Sequence, residues 1–463
     1  MGWRPRAWAA WAAVLVGIGF VAAEAILLRA PVGDDEGAYW QSLRALARGE
    51  PLFSSVFASQ PPVFYYAFLP FYRFAHSLTG LRVGVLLFGL VGLAATYVVS
   101  RLLAGDLAGL LALVLAATSP VYLHQSVVLQ ADGPAVALST VAIALALAAV
   151  RADARVRELL AAGAGLTLAL AVGIKLLGAV SLVPIALVLL GATRGRGRLV
   201  AAAIAGGLLG SFVMLLPALP SLGAAVDQLV LMHLRAGQAE RGGLGGNLGF
   251  LLLRRELPLE VLAALGALVA LLRRDRTIVM PLAWVLASVL AVLLYQPLFP
   301  HHLVILSPAL AMTAAVGLGN LGELGRGALV AAAALVLVTA ATGAAVAVGE
   351  ARVALRPDLH DAEMVAAIRA ASRPADFWIS DNAYAVAAAD RDMPGSLVDT
   401  SGQRTEAGLL TVGDLEAARV RYDVAWVLVD GPRLDRVPGF RGWLDAHFHA
   451  VESLGGGAVV YQH

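Results

Sequence analysis

The sequence predicts a polytopic α-helical membrane protein that ends in a small α/β domain. Two observations support this fold class. The 463 residues are 59% hydrophobic and only 14% charged, with a mean hydropathy of +0.79, whereas soluble domains are about 45–50% apolar. Apolar runs of about 20 residues, long enough to cross the hydrocarbon core of a bilayer, recur up to residue 350. We therefore expect a membrane domain over 1–350 and a second domain over 351–463.

The first apolar run covers residues 7–28 and follows Arg4 and Arg6. It is longer than the apolar core of a cleaved signal peptide, so we interpret it as an uncleaved first span whose N-terminus lies in the cytoplasm. The same length rule gives about eleven spans in all. The further candidates are 81–103, 106–122, 134–150, 158–173, 176–192, 198–220, 257–272, 277–295, 302–320 and 327–349.

Arginine is concentrated in alternate connections between these runs, at 101, 151–157, 194–198, 273–276 and 326. Short loops rich in Lys and Arg face the cytoplasm. The other connections and the tail are therefore predicted to lie on the outer face of the cell membrane. The Ala, Gly, Val and Leu bias is typical of a bacterial protein from a GC-rich genome.

Composition also excludes several classes of function. The net charge of +2 comes without a basic stripe or a nucleic-acid motif, which argues against nucleic-acid binding. The chain has no cysteine, so disulfides and thiolate metal sites are absent.

The tail shows shorter apolar runs and more charge. "DFWIS", "VAWVLVD" and "AVVYQ" are typical of short buried strands. "DAEMVAAIRAA" has helical spacing, and "TVGDLEAARV" reads as a helix that Thr and Asp cap. These patterns predict the small α/β domain.

Asp34, Asp35 and Glu36 follow directly on the first span. One interpretation is that they are solvated charges in the first turn of a helix at "EGAYWQSLRALARG", where acids suit the helix dipole. The functional interpretation is that they belong to a site.

The functional interpretation draws on other ionisable groups in the predicted outer loops. These groups are Asp132, His124, Lys175, His301 and His302. Ionisable groups near a membrane core are costly and are functional candidates by default.

The order of several motifs resembles the GT-C superfamily of membrane glycosyltransferases. The similar branch contains protein O-mannosyltransferases, the lipid A aminoarabinose transferase and Rgt-type sugar transferases. The motifs are "DDEGAYW", "QPPVFYY", "LQADGPAVAL", "GIKLLGAVSLVPIALVL" and "PLFPHHLVILSPALA", and they cover roughly 1–350.

The resemblance implies an enzyme that moves a sugar from a polyprenyl-phosphate donor to a glycan, lipid or protein acceptor outside the membrane. It implies a carboxylate base for the acceptor hydroxyl, for which Asp35 is the candidate, Asp34 the alternative and Glu36 a support. A divalent metal is a possible cofactor, since Asp35, Glu36 and Asp132 offer hard oxygen ligands. Metal use is left open.

One position departs from the family pattern. Relatives carry a lysine before the double proline, where this chain has the uncharged Gln60. Phosphate binding is therefore expected from other cations. The candidates are Lys175, Arg235, Arg241, Arg254 and Arg255, while Asp132, Gln60, His301 and His302 are candidates for substrate binding or support.

Each of these residues also has an ordinary structural explanation. Lys175 can extend its ammonium from a helix end to the interface. The two histidines, and Tyr39, Tyr65 and Tyr66, can belong to an interfacial belt. Two rival functions are a transporter or flippase, which usually shows two related halves, and a catalytically inactive scaffold.

Overall fold

The computed structural model describes residues 6–33, 35–239, 243–253, 256–319, 326–356 and 358–463. Helices dominate up to residue 354. They are α1 (Ala7–Leu27), α2 (Glu36–Ala47), α3 (Pro62–Ala75), α4 (Leu78–Ala104), α5 (Asp106–Ala117), α6 (Pro120–Gln125), α7 (Asp132–Arg151), α8 (Arg157–Ile174), α9 (Leu182–Leu190), α10 (Arg196–Leu215), α11 (Leu222–Val226), α12 (Met232–Ala239), α13 (Gly243–Leu253), α14 (Leu257–Leu272), α15 (Val279–Leu294), α16 (Leu306–Gly319) and α17 (Arg326–Ala354).

Helical stretches in the described part of the chain are long and apolar enough to cross a membrane eight times. Three shorter apolar stretches, Asp106–Ala117, Leu176–Leu190 and Leu257–Leu272, coincide with further predicted spans. The chain is thus a multi-span membrane protein, as the sequence predicted. The count of eleven spans stays a prediction.

The fold divides into two compact units. The first comprises the described residues of 1–30, 82–214 and 242–355, and the second those of 31–81, 215–241 and 356–463. The second unit therefore contains the first predicted outer loop as well as the tail.

The core of the first unit is built around α16. Every residue from Leu306 to Leu318 is buried, because the segment is apolar all round and helices enclose it. Small residues permit this packing. A side chain at Gly317 would collide with the backbone of Gly266 on α14, the close approach that small residues allow between membrane helices.

The tail forms a four-stranded sheet in the second unit. Its helices are α18 (Leu359–Ala371), α19 (Ala383–Ala388), α20 (Gly402–Glu406), α21 (Val412–Tyr422) and α22 (Phe440–His447), and its strands are β1 (Trp378–Ser380), β2 (Trp426–Val429), β3 (His449–Ser453) and β4 (Val459–Gln462). The strand order is β1-β2-β4-β3, with β1 and β2 parallel and the other pairs antiparallel. The three predicted strands and the α18 and α21 helices are confirmed, and Thr411 caps α21. β3 was not predicted.

α2 and α3 complete the second unit. Arg44 on α2 contacts Asp390 at 2.9 Å and Asp392 at 2.7 Å. The lack of a side chain at Gly37 lets α2 pack closely on the backbone of Tyr384. These contacts attach the first predicted outer loop to the tail.

The prediction of an interfacial aromatic belt is wrong for two of its three tyrosines. Tyr39 and Tyr65 are 5% and 1% exposed, whereas Tyr66 is 41% exposed. The ring of Phe64 packs edge-on against both buried tyrosines. Aromatic enrichment alone does not distinguish an interface from a protein core.

Candidate functional site

The first unit holds a buried ion pair where two helices are interrupted. Asp132 is the first residue of α7. Lys175 follows the last residue of α8 in extended conformation, with φ −148° and ψ 129°, and a 3₁₀ helix continues the chain over Leu176–Ser181. The interruption brings Lys175 Nζ to 3.2 Å from Asp132 Oδ2, with the two side chains only 9% and 2% exposed.

Two histidines join this pair. His301 and His302 lie on a 3₁₀ helix, Pro300–Ile305, that leads into α16. His301 Nε2 lies 4.0 Å from Asp132 Oδ2, and the two imidazole centroids are 4.3 Å apart. The structure thus brings together Asp132, Lys175, His301 and His302, which the sequence had proposed separately.

Hydrogen bonds orient both imidazoles. The backbone N–H of Phe299 donates to His302 Nδ1 at 3.1 Å. Because a backbone N–H only donates, Nδ1 accepts, and the neutral ring carries its proton on Nε2. The Gln130 amide contacts His301 Nδ1 at 3.4 Å. Sequence reasoning did not identify Gln130, which precedes "ADGPAVAL" in the same motif as Asp132.

One oxygen atom of this cluster has an unfilled hydrogen-bonding capacity. Asp132 Oδ1 is buried with no hydrogen-bond partner in the described part of the chain. A carboxylate oxygen left in this state costs free energy, so such an atom commonly marks a place for a ligand, ion or water. The arrangement therefore offers an ammonium, an imidazole N–H and an unsatisfied carboxylate oxygen within one buried cluster.

Asp132, His301 and His302 also form a possible metal-binding triad. Each offers one ligand atom, and these atoms lie within 4.8 Å of one another. The hydrogen bond that His302 accepts does not suit metal binding. Nε2 binds a metal only when its proton sits on Nδ1, and Nδ1 already accepts from Phe299.

The acidic cluster after the first span belongs to the second unit. Asp35 is partly exposed at the N-cap position of α2, but its side chain makes no cap hydrogen bond. Glu36 is fully buried, and its Oε2 accepts from the backbone N–H of Gly33 at 2.8 Å. Glu36 is therefore not a solvated charge in the first turn of a helix. Asp34 lies outside the described residues.

Gln60 is buried in the second unit, where its Nε2 donates to the Tyr39 hydroxyl at 3.0 Å. The Gln60 amide therefore donates to a side chain of the protein itself. Arg235 Nη1 donates to the carbonyl of Ala407 at 3.5 Å. Arg241, Arg254 and Arg255 lie outside the described residues.

Sequence reasoning also missed buried acids inside the first unit. Glu24 on α1 is fully buried, and Glu256 before α14 is 3% exposed. Glu256 accepts from Ser119 Oγ at 2.6 Å and from the Val121 backbone N–H at 3.0 Å, which fixes the start of α6. Glu24 is a single charge within a long apolar run, and that isolation was the signal available in the sequence. Glu256 follows Arg254 and Arg255 directly and gave no such signal.

Known proteins share this architecture. The chain is similar to ArnT from Cupriavidus metallidurans, with a TM-score of 0.73 and 17% identity over 98% of both chains. The chain has the fold of the GT-C glycosyltransferases. The chain is also similar to a structure of the same ArnT bound to undecaprenyl phosphate. The TM-score is 0.72 and the identity 17%, over 98% of this chain and 97% of that chain.

A third similar structure is the oligosaccharyltransferase of Archaeoglobus fulgidus, in complex with Zn and sulfate. It matches with a TM-score of 0.59 and 15% identity, over 96% of this chain and 72% of that chain. The family model "Dolichyl-phosphate-mannose-protein mannosyltransferase" matches residues 59–222. That range includes Gln60, Asp132 and Lys175. A search of curated proteins finds no match.

Proposed function

We propose that the chain is a glycosyltransferase that moves a sugar from a polyprenyl-phosphate donor to a glycan, lipid or protein acceptor. The observation that carries the proposal is the buried cluster of Asp132, Lys175, His301 and His302 at interruptions of membrane helices. A lipid-linked phosphate needs cationic and N–H donors at such a depth. The undecaprenyl phosphate bound to ArnT supports this class of donor.

Lys175 and the histidines have complementary roles in this proposal. The Lys175 ammonium attracts the donor phosphate, and the N–H at His302 Nε2 donates to one of its oxygens. Asp132 keeps Lys175 in place and limits the cost of burying its charge. Arg254 and Arg255 remain candidates for the same phosphate.

The proposed reaction is a displacement at the anomeric carbon. The acceptor hydroxyl gives its proton to a carboxylate, and its oxygen forms a bond to the anomeric carbon through an oxocarbenium-like state. The bond between that carbon and the phosphate oxygen breaks, and the lipid phosphate leaves with the electron pair. Asp35 is the proposed base, with Asp34 the alternative and Glu36 the buried support.

A metal ion at the triad would act as a Lewis acid beside the phosphate, and the zinc in the archaeal oligosaccharyltransferase structure motivates the comparison. Asp132 and His301 suit such an ion. The orientation of His302 does not, so the proposed mechanism assigns no step to a metal.

The proposed location follows the charge pattern. We propose that the chain lies in the plasma membrane with its N-terminus in the cytoplasm and residues 351–463 outside as a separate domain. This places acceptor entry on the outer side.

The test is transfer by the purified full chain. A radiolabelled polyprenyl-phosphate sugar is incubated with the protein and candidate acceptors, and product formation is followed. We expect label in an acceptor, with weaker transfer at limiting donor concentration in the double variant Lys175→Met with Asp132→Asn but not in the exposed control Glu158→Gln. Label that crosses proteoliposomes without a change of linkage would instead identify a flippase.

A further inference from the structure

Glu24 is a buried acid with no assigned role. It is the only charged residue of α1, and its side chain is fully buried. Both of its carboxylate oxygens lack a hydrogen-bond partner in the described part of the chain. A helix that needs only to span lipid gains nothing from such a residue.

The surroundings of Glu24 are mostly apolar. Phe20, one turn earlier on α1, packs against the ring of Tyr122. Leu27, nearly a turn later, packs with Val127 and Val128. The Tyr122 hydroxyl donates to the Gly89 carbonyl at 2.7 Å, so it does not serve Glu24.

The charged groups near this end of α1 come from several helices. On α17, Glu350 interacts electrostatically with Glu24, and its Oε2 lies 3.6 Å from His124 Nδ1. On α4, Arg82 donates to the carbonyls of Leu28 and Ala30. On α5, Asp106 is at the other end of α1, where it accepts from the Arg6 backbone N–H.

An ionised carboxylate in this position would be costly for two independent reasons. A buried charge without hydrogen bonds loses its solvation. A second carboxylate nearby disfavours ionisation further. The neutral acid avoids both costs by binding one proton.

We propose that Glu24 is a proton-binding site that controls the packing of α1 on α17. At neutral pH it carries a proton, and α1 packs against α17. When the pH rises and the proton is lost, repulsion between Glu24 and Glu350 weakens this packing. Because α17 is the last membrane helix before the tail, the site makes the membrane part of the protein sensitive to pH.

The first test is thermal stability of the purified full chain in detergent at a series of pH values. The folded state holds a proton that the unfolded state has lost, so stability must fall as the pH rises. We expect the Tm of the wild type to fall as the pH rises above the range in which an ordinary carboxyl group titrates. Glu24→Gln should make this slope smaller and leave the contribution of Asp381, whereas the exposed Glu158→Gln should leave the slope unchanged. Equal slopes in the wild type and Glu24→Gln would overturn the proposal.

Infrared spectroscopy provides a second test. Wild-type protein labelled with ¹³C-glutamate should show, at neutral pH, a protonated-carboxyl stretching band that shifts on labelling and disappears at high pH. The band should be weaker in Glu24→Gln, and the remainder belongs to other buried glutamates such as Glu256. Absence of that band overturns the proposal. A Tm that follows the concentration of Na⁺ or Mg²⁺ at constant pH overturns it also, because the site would then bind a metal cation.

Discussion

Lys175 Nζ lies 3.2 Å from Asp132 Oδ2, and both side chains are almost completely buried. Lys175 is the only lysine of the chain, and each partner stands where a membrane helix begins or ends. A buried pair of this kind adds little net stability compared with apolar residues. Its retention in a helix interruption, beside two histidines, is better explained by ligand binding than by folding.

The ion pair predicts different results for single and double substitutions. Lys175→Ala leaves the Asp132 carboxylate buried and unpaired, which should destabilise the protein by about 3–5 kcal/mol. Lys175→Met with Asp132→Asn removes both charges and should recover most of that loss in a thermal unfolding assay. If the double variant is as unstable as Lys175→Ala, the pair is not the source of the effect.

In the same variants, the effect on donor binding should be independent of the effect on stability. Loss of a hydrogen bond to a charged group costs about 1.5–3 kcal/mol, which corresponds to a rise of roughly 10- to 100-fold in the donor KM. We expect this rise for Lys175→Ala and for the stable double variant, with the acceptor KM nearly unchanged. An unchanged donor KM in the stable double variant would remove Lys175 from phosphate binding.

The orientation of the His302 ring predicts how the enzyme responds to chelators. Since Nδ1 accepts from the Phe299 N–H, Nε2 donates, and the ring serves an anion better than a metal. We expect transfer to survive extensive dialysis against EDTA. His302→Ala should raise the donor KM about tenfold, the cost of one hydrogen bond to a charged group. Loss of transfer on chelation, restored by zinc, would show that the ring instead binds a metal.

Another prediction concerns the pH dependence of the tail. Burial raises the pKa of the Asp381 carboxyl to about 6, although backbone N–H groups of Asp430 and Gly431 donate to it. Between about pH 4 and pH 6 the folded state therefore keeps a proton that the unfolded state has lost. The stability of the tail should fall by about 3 kcal/mol as the pH rises through this window.

Asp381→Asn tests that contribution in the full chain. Urea unfolding followed by tryptophan fluorescence should show the decrease in the wild type and a flatter profile in the variant. Asp445→Asn, at an exposed position of α22, is the matched control. A wild-type profile that does not change between about pH 4 and pH 6 would contradict the assignment.

Sequence patterns predicted the long apolar helices, α18, α21 and three of the four strands, because apolar spacing determines which elements can be buried. β3 was missed since all five of its residues are exposed, so it has no apolar pattern. Asp132, Lys175 and the histidines were identified by residue type and by their place in the predicted outer loops. The sequence could not show that the interruption after α8 and the turn before α16 bring them together. The sequence did not identify Glu24 as a candidate, because one acid hardly changes the hydropathy of a 21-residue apolar helix.

The arginine pattern predicts the orientation of the chain in the membrane. Reporters fused after residue 157 or residue 197 should be cytoplasmic, because arginine-rich short loops stay inside. A reporter fused after residue 360 should be external. A cytoplasmic tail would contradict this orientation and the proposed outer location of sugar transfer.

The last prediction concerns the acid proposed as base. Asp35→Asn preserves the size of the side chain and removes its charge. Asp35 is partly exposed at the start of α2, so the substitution should change the Tm little, whereas removal of a general base should lower the transfer rate by about 10²–10⁴-fold. Glu36→Gln serves as a contrast, because Glu36 is buried and accepts from the Gly33 N–H. It should reduce stability as well as rate. Transfer within a few-fold of wild type in Asp35→Asn would exclude Asp35 as the base, and loss of transfer in Asp34→Asn instead would assign that role to its neighbour.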